Sequence, residues 1–310
     1  MKIRKWMGAF AGIVLACGSG HLAAQDLSVQ AYEEILYWSP QQPDQNVELN
    51  ADLLGIAISR FKDNQRPEEH IGYASNGIQG HYTSHVTAKE SVISTLGYNR
   101  AILSWKQNPY FTQKYFDTVL VGLGITSTRL ENWLWRGSFG VAFAVDSGGF
   151  ANYGIYNAMM WGRYTYSQSL GLHIGIVGQT IGLRKENILP ILGVDYRMGN
   201  HWQLNLIFPV DGSLTYLWTR DWQVGIALRR VAERRRTGPN QPVSRAIYQY
   251  TNTGLELFAN FLAGSHFNAR FDLGGMMGGD LKVMNQTGGA LQTLKFKPAI
   301  FADIRVAINF

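Results

Sequence analysis

The sequence predicts an all-β fold, namely a closed antiparallel transmembrane up-and-down β-barrel of 12–14 strands. Three observations predict it: period-two alternation of side chains, a regular succession of short and long connections, and the composition. The chain has 310 residues, of which 16% are charged and 13% aromatic, and it contains 34 glycines. Soluble domains carry roughly 25% charged residues, and the many aromatic residues argue against disorder. The single cysteine, Cys17, excludes an intrachain disulfide and a multi-cysteine metal site.

Alternation is clearest in the C-terminal segment. Large or apolar side chains occupy every second position there, and small, polar or charged side chains mostly fill the positions between. Similar alternation begins at Trp133, Trp202, Trp222 and Phe267. A β-strand places alternate residues on opposite faces, so each segment reads as a strand with two different faces. In the last strand one face carries Ile300, Ala302, Ile304, Val306, Ile308 and Phe310, and the other carries Phe301, Asp303, Arg305, Ala307 and Asn309.

The connections between these segments fall into two classes. Short ones, at 128–132, 167–169, 199–201 and 219–221, alternate with longer ones at 106–116, 146–153, 233–245 and 277–297. Transmembrane barrels have short turns at one end and longer loops at the other. The link 209–212 breaks this trend, and the count falls to twelve if the first two strands lie outside the wall. The predicted strands are 47–61, 76–87, 92–105, 117–127, 133–145, 154–166, 170–181, 190–198, 202–208, 213–218, 222–232, 246–260, 267–275 and 298–310.

Three regions follow one another along the chain. Residues 1–24 have the basic start and short apolar core of a secretory signal peptide, with cleavage expected after Ala24. Around Cys17 the sequence also resembles a lipoprotein cleavage box, which leaves lipidation of Cys17 as an alternative. Residues 25–46 are expected to form a periplasmic N-terminal segment, and 47–310 the barrel. No stretch holds 18 uninterrupted apolar residues, as a membrane-spanning helix would.

The chain ends on Phe310, with Ile308 two residues earlier on the same apolar face. This ending resembles the closing strand of bacterial outer-membrane β-barrels, whose terminal phenylalanine is part of the assembly signal. The segments 190–196 and 202–209 also look like an uncharacterised family of Gram-negative outer-membrane barrels, which brings no known active site. The resemblance implies location in the cell outer membrane, with outer-membrane lipid, lipopolysaccharide and the barrel-assembly machinery as partners.

Aromatic residues cluster beside the short turns. Amphipathic rings favour the headgroup level of a bilayer, so one-sided clustering predicts a membrane-interface girdle. The tryptophans assigned to it are Trp133, Trp135, Trp202, Trp218 and Trp222.

Charged side chains fall on one face of the strands, which is expected to be the lumenal face because charge facing lipid is costly. We expect the opposite charges two residues apart, such as Asp195 and Arg197, to pair. Such charges either fill a narrow barrel as a structural network or line a pore and set its ion selectivity. The expected function is a structural or weakly conducting barrel, with a porin-like channel for small solutes as the alternative. The predicted lumen-lining charges are Arg136, Arg163, Asp195, Arg197, Glu256, Arg270, Asp272, Asp303 and Arg305.

An outer-membrane lipid hydrolase is a further alternative, but its motifs are incomplete. Ser75 begins a Ser-Asn-Gly that resembles outer-membrane phospholipases, yet Tyr73 stands where they have histidine. His81 and His85 are each followed two residues later by threonine, where lipid A deacylases have serine. No catalytic residue, metal or cofactor is therefore expected.

A cluster of arginines occupies 229–236. We expect it on an outer loop, facing either lipopolysaccharide headgroups or solvent, and not nucleic acid. The sequence leaves the oligomeric state open. The cluster comprises Arg229, Arg230, Arg234, Arg235 and Arg236.

Overall fold

A computed structural model describes residues 47–62, 69–145, 154–181, 186–208 and 211–310. The expected signal peptide and N-terminal segment lie outside the described residues. The described residues form fifteen strands: β1 (Val47–Arg60), β2 (His70–Thr87), β3 (Glu90–Trp105), β4 (Tyr115–Ser127), β5 (Trp133–Ala144), β6 (Ile155–Ser167), β7 (Leu170–Ile181), β8 (Glu186–Met198), β9 (Trp202–Phe208), β10 (Asp211–Leu217), β11 (Trp222–Arg236), β12 (Ile247–Ala263), β13 (Phe267–Met284), β14 (Ala290–Lys295) and β15 (Ala299–Asn309).

Fourteen of these strands close into a barrel. Each strand from β1 to β12 pairs antiparallel with the next, β13 pairs with β15, and β15 returns to β1. Closure leaves no strand edge with unpaired backbone N–H and C=O groups, which lipid could not hydrogen-bond. The predicted closed antiparallel barrel of 12–14 strands is thus confirmed, with fourteen in the wall.

The remaining strand, β14, lies where the sequence predicted a long loop. β13 continues to Met284, and β14 pairs with its last residues, Asp280 opposite Lys295. β14 then leads into β15 along the same edge of β13, and a bridge joins Phe296 to Phe61. The segment 277–297 is therefore mostly a β-hairpin, a correction to the predicted loop.

The short connections between strands lie at one end of the barrel, as expected. Those at 88–89, 128–132, 168–169, 199–201, 218–221 and 264–266 all lie at the end where β15 finishes, which we call the turn end. The opposite end is the loop end. The predicted pair of short strands, β9 and β10, is present. Because both strands are short, the barrel wall beside β11 ends closer to the turn end than it does elsewhere.

The outer surface of the wall is apolar. Large hydrophobic side chains point outward along most strands; Leu257 is 65% and Ile300 70% exposed. Water-soluble monomers rarely expose apolar patches beyond a few hundred Å², whereas a barrel in a bilayer presents an apolar band all round. The barrel is therefore a transmembrane one.

Candidate functional site: the barrel lumen

The β11–β12 hairpin leaves the wall and enters the lumen. β10 pairs with β11 only as far as Leu228, so β12 alone among the described strands continues beside the rest of β11. Beyond that point nearly every residue is buried on both faces of the hairpin, unlike a wall strand with one lipid-facing side. We call residues 229–236 and 247–252 the inner hairpin.

The inner hairpin reaches the far side of the barrel. The Tyr250 ring stacks on Tyr73 of β2, and the Tyr73 hydroxyl donates a hydrogen bond to Glu233. Arg235 donates to Asn99 of β3 at 2.5 Å and to Thr118 of β4. Since β4 stands seven positions from β11 in the ring of fourteen, these contacts span the lumen.

Aromatic side chains fill the space around the inner hairpin at the loop end. Phe116 meets Tyr248 edge to face at 4.7 Å between centroids, and Phe111 lies 5.8 Å from the same ring. Tyr250 stacks on Phe296 at 5.1 Å. Such geometries add to the stabilisation from burial. The loop half of the lumen is thus occupied by a packed apolar cluster.

Hydrogen bonds hold the tip of the hairpin to the β3–β4 connection. The backbone N–H of Thr112 donates to the Gln241 side chain at 2.7 Å, and that of Gly238 donates to Gln113 at 2.9 Å. The Val243 N–H donates to the Tyr110 carbonyl at 2.9 Å. The tip therefore lies over the barrel mouth.

A charge network begins at Arg229, where the inner hairpin leaves the wall. One Arg229 nitrogen lies 2.7 Å from Asp303 and 3.5 Å from Glu256. Asp272 is 4.0 Å from the same atom. Sequence reasoning placed the three acids in the lumen but missed Arg229, because it assigned that residue to the outer arginine cluster.

Two further arginines complete this network. Arg270 pairs with Glu256 and with Asp272, each at 2.7 Å. Arg305 contacts Asp303 at 2.5 Å and Asp272 at 3.3 Å. Buried charges are tolerable only when they are paired and hydrogen-bonded. Three arginines and three acids therefore join β11, β12, β13 and β15 from the inside.

A second cluster lies on β6, β7 and β8. Asp195 accepts two hydrogen bonds from Arg163, each at 2.8 Å, and one from His173 at 2.7 Å. We expected Arg197 to be its partner, but Arg197 is exposed near the turn end. The carboxylate instead lies over Gly171 of the neighbouring strand, which has no Cβ to block it.

The remaining predicted lumenal charge, Arg136, is buried inside the barrel. The Arg229–Arg236 cluster as a whole is a correction: it belongs to strand β11, and all but Arg230 are buried. Apolar and polar residues no longer alternate in β11 after Leu228, so the direction of these arginine side chains could not be predicted from the sequence.

The predicted girdle tryptophans lie on the outer surface beside the turn end. Trp218 is 65% exposed, Trp202 and Trp222 are exposed, and Trp133 stacks on Trp135 at 4.9 Å. Their role at a membrane interface stays a prediction.

Toward the loop end, the outer surface carries a group of three polar side chains that the sequence did not predict. On the outer surface, Arg100 pairs with Asp117 at 2.6 Å, and the Tyr98 hydroxyl donates to the same carboxylate at 2.7 Å.

The hydrolase motifs do not assemble. Ser75 and His81 face the lumen on one strand, six residues apart, or about 20 Å along the strand. His81 bonds Thr95 and His85 bonds Ser91, each at 2.9 Å. Among the described residues, no group of three His, Cys, Asp or Glu side chains could hold a metal ion. Within the same ranges, no helix has the length and apolar character needed to span a membrane.

A closed wall with an apolar outside and a charged, partly filled inside defines a transmembrane β-barrel protein. No family model matches the chain. Over its whole length it is 25% identical to an uncharacterized protein of Chlamydia pneumoniae, covering 99% of that protein. A similar protein of Chlamydia trachomatis is 22% identical over 84% of the chain and 86% of its own length.

Among solved structures, the chain is similar to an outer membrane channel from Pseudomonas putida F1. The TM-score is 0.48 at 7% identity, over 88% of this chain and all of that one. A FadL homologue from Pseudomonas aeruginosa gives a TM-score of 0.44 at 9% identity, over 86% and 91%. Because these values are low, the function below is inferred from the lumen itself.

Proposed function

We propose that the protein is an integral outer-membrane barrel with a structural or weakly conducting role and no enzymatic activity. The observation that supports this role is the inner hairpin, which crosses the lumen from β11 to β4. A barrel of this strand number has space for an aqueous channel or for a plug. Here the chain's own hairpin and the aromatic cluster occupy the loop half.

A small cavity lies beside the inner hairpin. The cavity there, bordered by Asp52, Ser75, Arg229 and Glu233 among others, has a volume of about 60 Å³. A buried water needs roughly 10–15 Å³ on this measure, so the cavity holds a few waters and no larger solute. In the proposed role, a larger solute crosses the lumen only when the inner hairpin moves.

A porin-like channel for small solutes is the second candidate. It is favoured by the polar lining of the turn half, where Arg163, Asp195 and His173 face the lumen. Charged rings of this kind set ion selectivity when a pore is open. The two candidates differ in whether the inner hairpin stays in place.

Location and assembly complete the proposal. We infer export by residues 1–24, a periplasmic turn end bordered by the tryptophan girdle, and recognition of the last strand by the barrel-assembly machinery. The Phe310 side chain is 65% exposed on the outer surface, and its backbone pairs with Val47. An exposed terminal ring is available to such a partner.

Single-channel recording tests the proposed role. The mature chain, refolded and shown to be heat-modifiable on gels, is inserted in a planar bilayer beside a variant in which a short Gly-Ser turn replaces 231–250. The wild type should show small or no steps, and the variant should show large stable ones. As a control, replacement of the exposed connection 128–132 at the turn end should leave the wild-type record unchanged.

Two outcomes would overturn the role. Large stable steps in the wild type, equal to those of the shortened variant, would favour the porin-like channel. A folded shortened variant that conducts no better than the wild type would show that the hairpin does not close the lumen.

A further inference from the structure

Four cations form a compact group on the outer surface at the loop end. Arg60 ends β1 and Lys62 follows it by two residues, while Lys295 and Lys297 stand where β14 leads into β15; all four are exposed. The Lys62 N–H donates to the Lys295 carbonyl at 2.8 Å, and the Lys297 N–H donates to the Arg60 carbonyl at 2.9 Å. Arg60 therefore stands opposite Lys297, and Lys62 opposite Lys295. We call these four residues the basic tetrad.

The tetrad points away from the lumen. Phe61 and Phe296, which lie between its members on the two strands, are 2% and 0% exposed and belong to the lumenal aromatic cluster. Alternate residues face opposite sides of a strand, so the four cations face outward. Paired Cα atoms lie about 5.5 Å apart and alternate residues about 7 Å. The Cα atoms of the four residues thus mark the corners of a small rectangle.

The tetrad lies at the edge of the apolar band. Ile58 lies two residues before Arg60 and is 69% exposed. Ile300 lies three residues after Lys297 and is 70% exposed. Both side chains point outward on the turn side of the tetrad. In a bilayer, cations directly beyond the apolar band stand at the level of the lipid headgroups.

This arrangement is unfavourable without an anion. Like charges directly opposite each other on a sheet repel, and the tetrad contains two such pairs. Asp280 of β13 stands opposite Lys295, and His70 of β2 stands opposite Arg60. Among the residues that the structure describes next to the tetrad, Asp280 is the carboxylate that stands opposite one of the four cations, so positive charge exceeds negative charge in this described part of the surface.

We propose that the basic tetrad binds phosphate groups on the lipopolysaccharide headgroups of the outer leaflet. A phosphate accepts bidentate hydrogen bonds from arginine and attracts lysine as a compact charge. Lipopolysaccharide thus stays the predicted partner, and the tetrad, instead of the mostly buried arginines of 229–236, is its proposed site. This proposal rests on the proposed outer-membrane location, which sets the loop end against the outer leaflet.

Binding of lipopolysaccharide to the refolded full barrel in detergent micelles tests the proposal. The Lys62→Gln/Lys295→Gln variant removes one opposed pair. The matched control Lys106→Gln/Lys114→Gln removes two exposed lysines at the same barrel end, from the β3–β4 connection. We expect the tetrad variant to bind about tenfold to thirtyfold more weakly and the control to bind like the wild type. Enzymatically dephosphorylated lipopolysaccharide should bind the wild type as weakly as the tetrad variant binds the intact lipid.

Three results would overturn the tetrad as a lipid site: equal affinity of both variants, unchanged binding of the dephosphorylated lipid, or full competition by millimolar inorganic phosphate. Heat-modifiable migration separates this failure from failure of the barrel. A shift in all variants without selective lipid binding removes the tetrad proposal alone. Absence of the shift, with fractionation as soluble protein, contradicts the outer-membrane proposal as well.

Discussion

The rings of Tyr73 and Tyr250 stack in the barrel lumen with their centroids 4.6 Å apart and their planes inclined by 9°. Tyr73 belongs to the wall strand β2, whereas Tyr250 belongs to the part of β12 that lies inside the barrel. The contact therefore joins the inner hairpin to a wall strand that is not its neighbour. Both rings are almost fully buried, so the contact combines apolar burial with favourable ring geometry.

Removing the Tyr250 ring should loosen the inner hairpin. We expect Tyr250→Ala to lower the free energy of unfolding by about 3–5 kcal/mol, because it leaves a cavity among Tyr73, Phe296 and their neighbours. Tyr250→Phe keeps the ring and loses only the 3.2 Å hydrogen bond from Asn252, so it should cost about 1 kcal/mol. Urea unfolding in detergent micelles measures both. Equal effects would mean that ring packing is not what holds the hairpin.

Arg229 should be the most sensitive member of the lumenal charge network. Arg229→Met leaves Asp303 and Glu256 with a lost partner, and we expect a cost of about 3–5 kcal/mol in the same unfolding measurement. The matched control is Arg129→Met. Its exposed pair with Glu90, at 2.9 Å beside a turn, should contribute at most about 1 kcal/mol.

A double substitution separates loss of charge balance from loss of packing. Loss of Arg229 leaves two arginines facing three acids, and adding Asp303→Asn removes one of those negative charges while Arg305 keeps its contact with Asp272. Part of the lost stability should therefore return. A double variant less stable than Arg229→Met alone would contradict a role based on charge balance.

Phe310 should matter for assembly and not for the stability of the finished barrel. Phe310→Ala is expected to reduce the assembled, heat-modifiable fraction in cells to well under half, while the refolded protein unfolds at an unchanged urea concentration. Ile300→Ala is the matched control, because Ile300 is an exposed apolar residue on the same face of β15. Loss of assembly in both variants alike would point to general strand hydrophobicity instead of the terminal residue.

The strands of the barrel wall were predictable because apolar and polar side chains alternate along them with a period of two residues. Alternation and turn length predicted the strands, and the bilayer's exclusion of free strand edges predicted the closure. The cost of charge facing lipid predicted the inward direction of Arg270, Asp272 and Asp303. The hairpin at 277–297 escaped prediction because glycines at 278, 279, 288 and 289 read as loop. Gly278 in fact has a φ of 95°, a conformation that favours glycine, and a Cβ there would lie 2.7 Å from the Phe296 carbonyl oxygen.

The inner hairpin could not be predicted for a different reason. Residues buried on both faces have no alternation to detect, and 231–236 contains three arginines that resemble a solvated loop. Their burial depends on partners distant in sequence, such as Thr118 and Asn99 for Arg235. The cross-strand bonds of Asp195 to Arg163 and His173 depend on register in the same way, whereas the sequence showed only its neighbour Arg197.

The position of the inner hairpin across the lumen is tested most directly by cross-linking its tip to the β3–β4 connection. Thr112→Cys and Gln241→Cys replace two side chains in hydrogen-bond contact, in a mature chain that has no other cysteine if cleavage follows Ala24. In lipid-inserted, heat-modifiable protein, a short bifunctional thiol reagent should link them in high yield. It should not link Gln241→Cys to Leu130→Cys at the turn end. Failure to link 112 to 241, with both single cysteines freely labelled, would contradict a hairpin folded across the barrel.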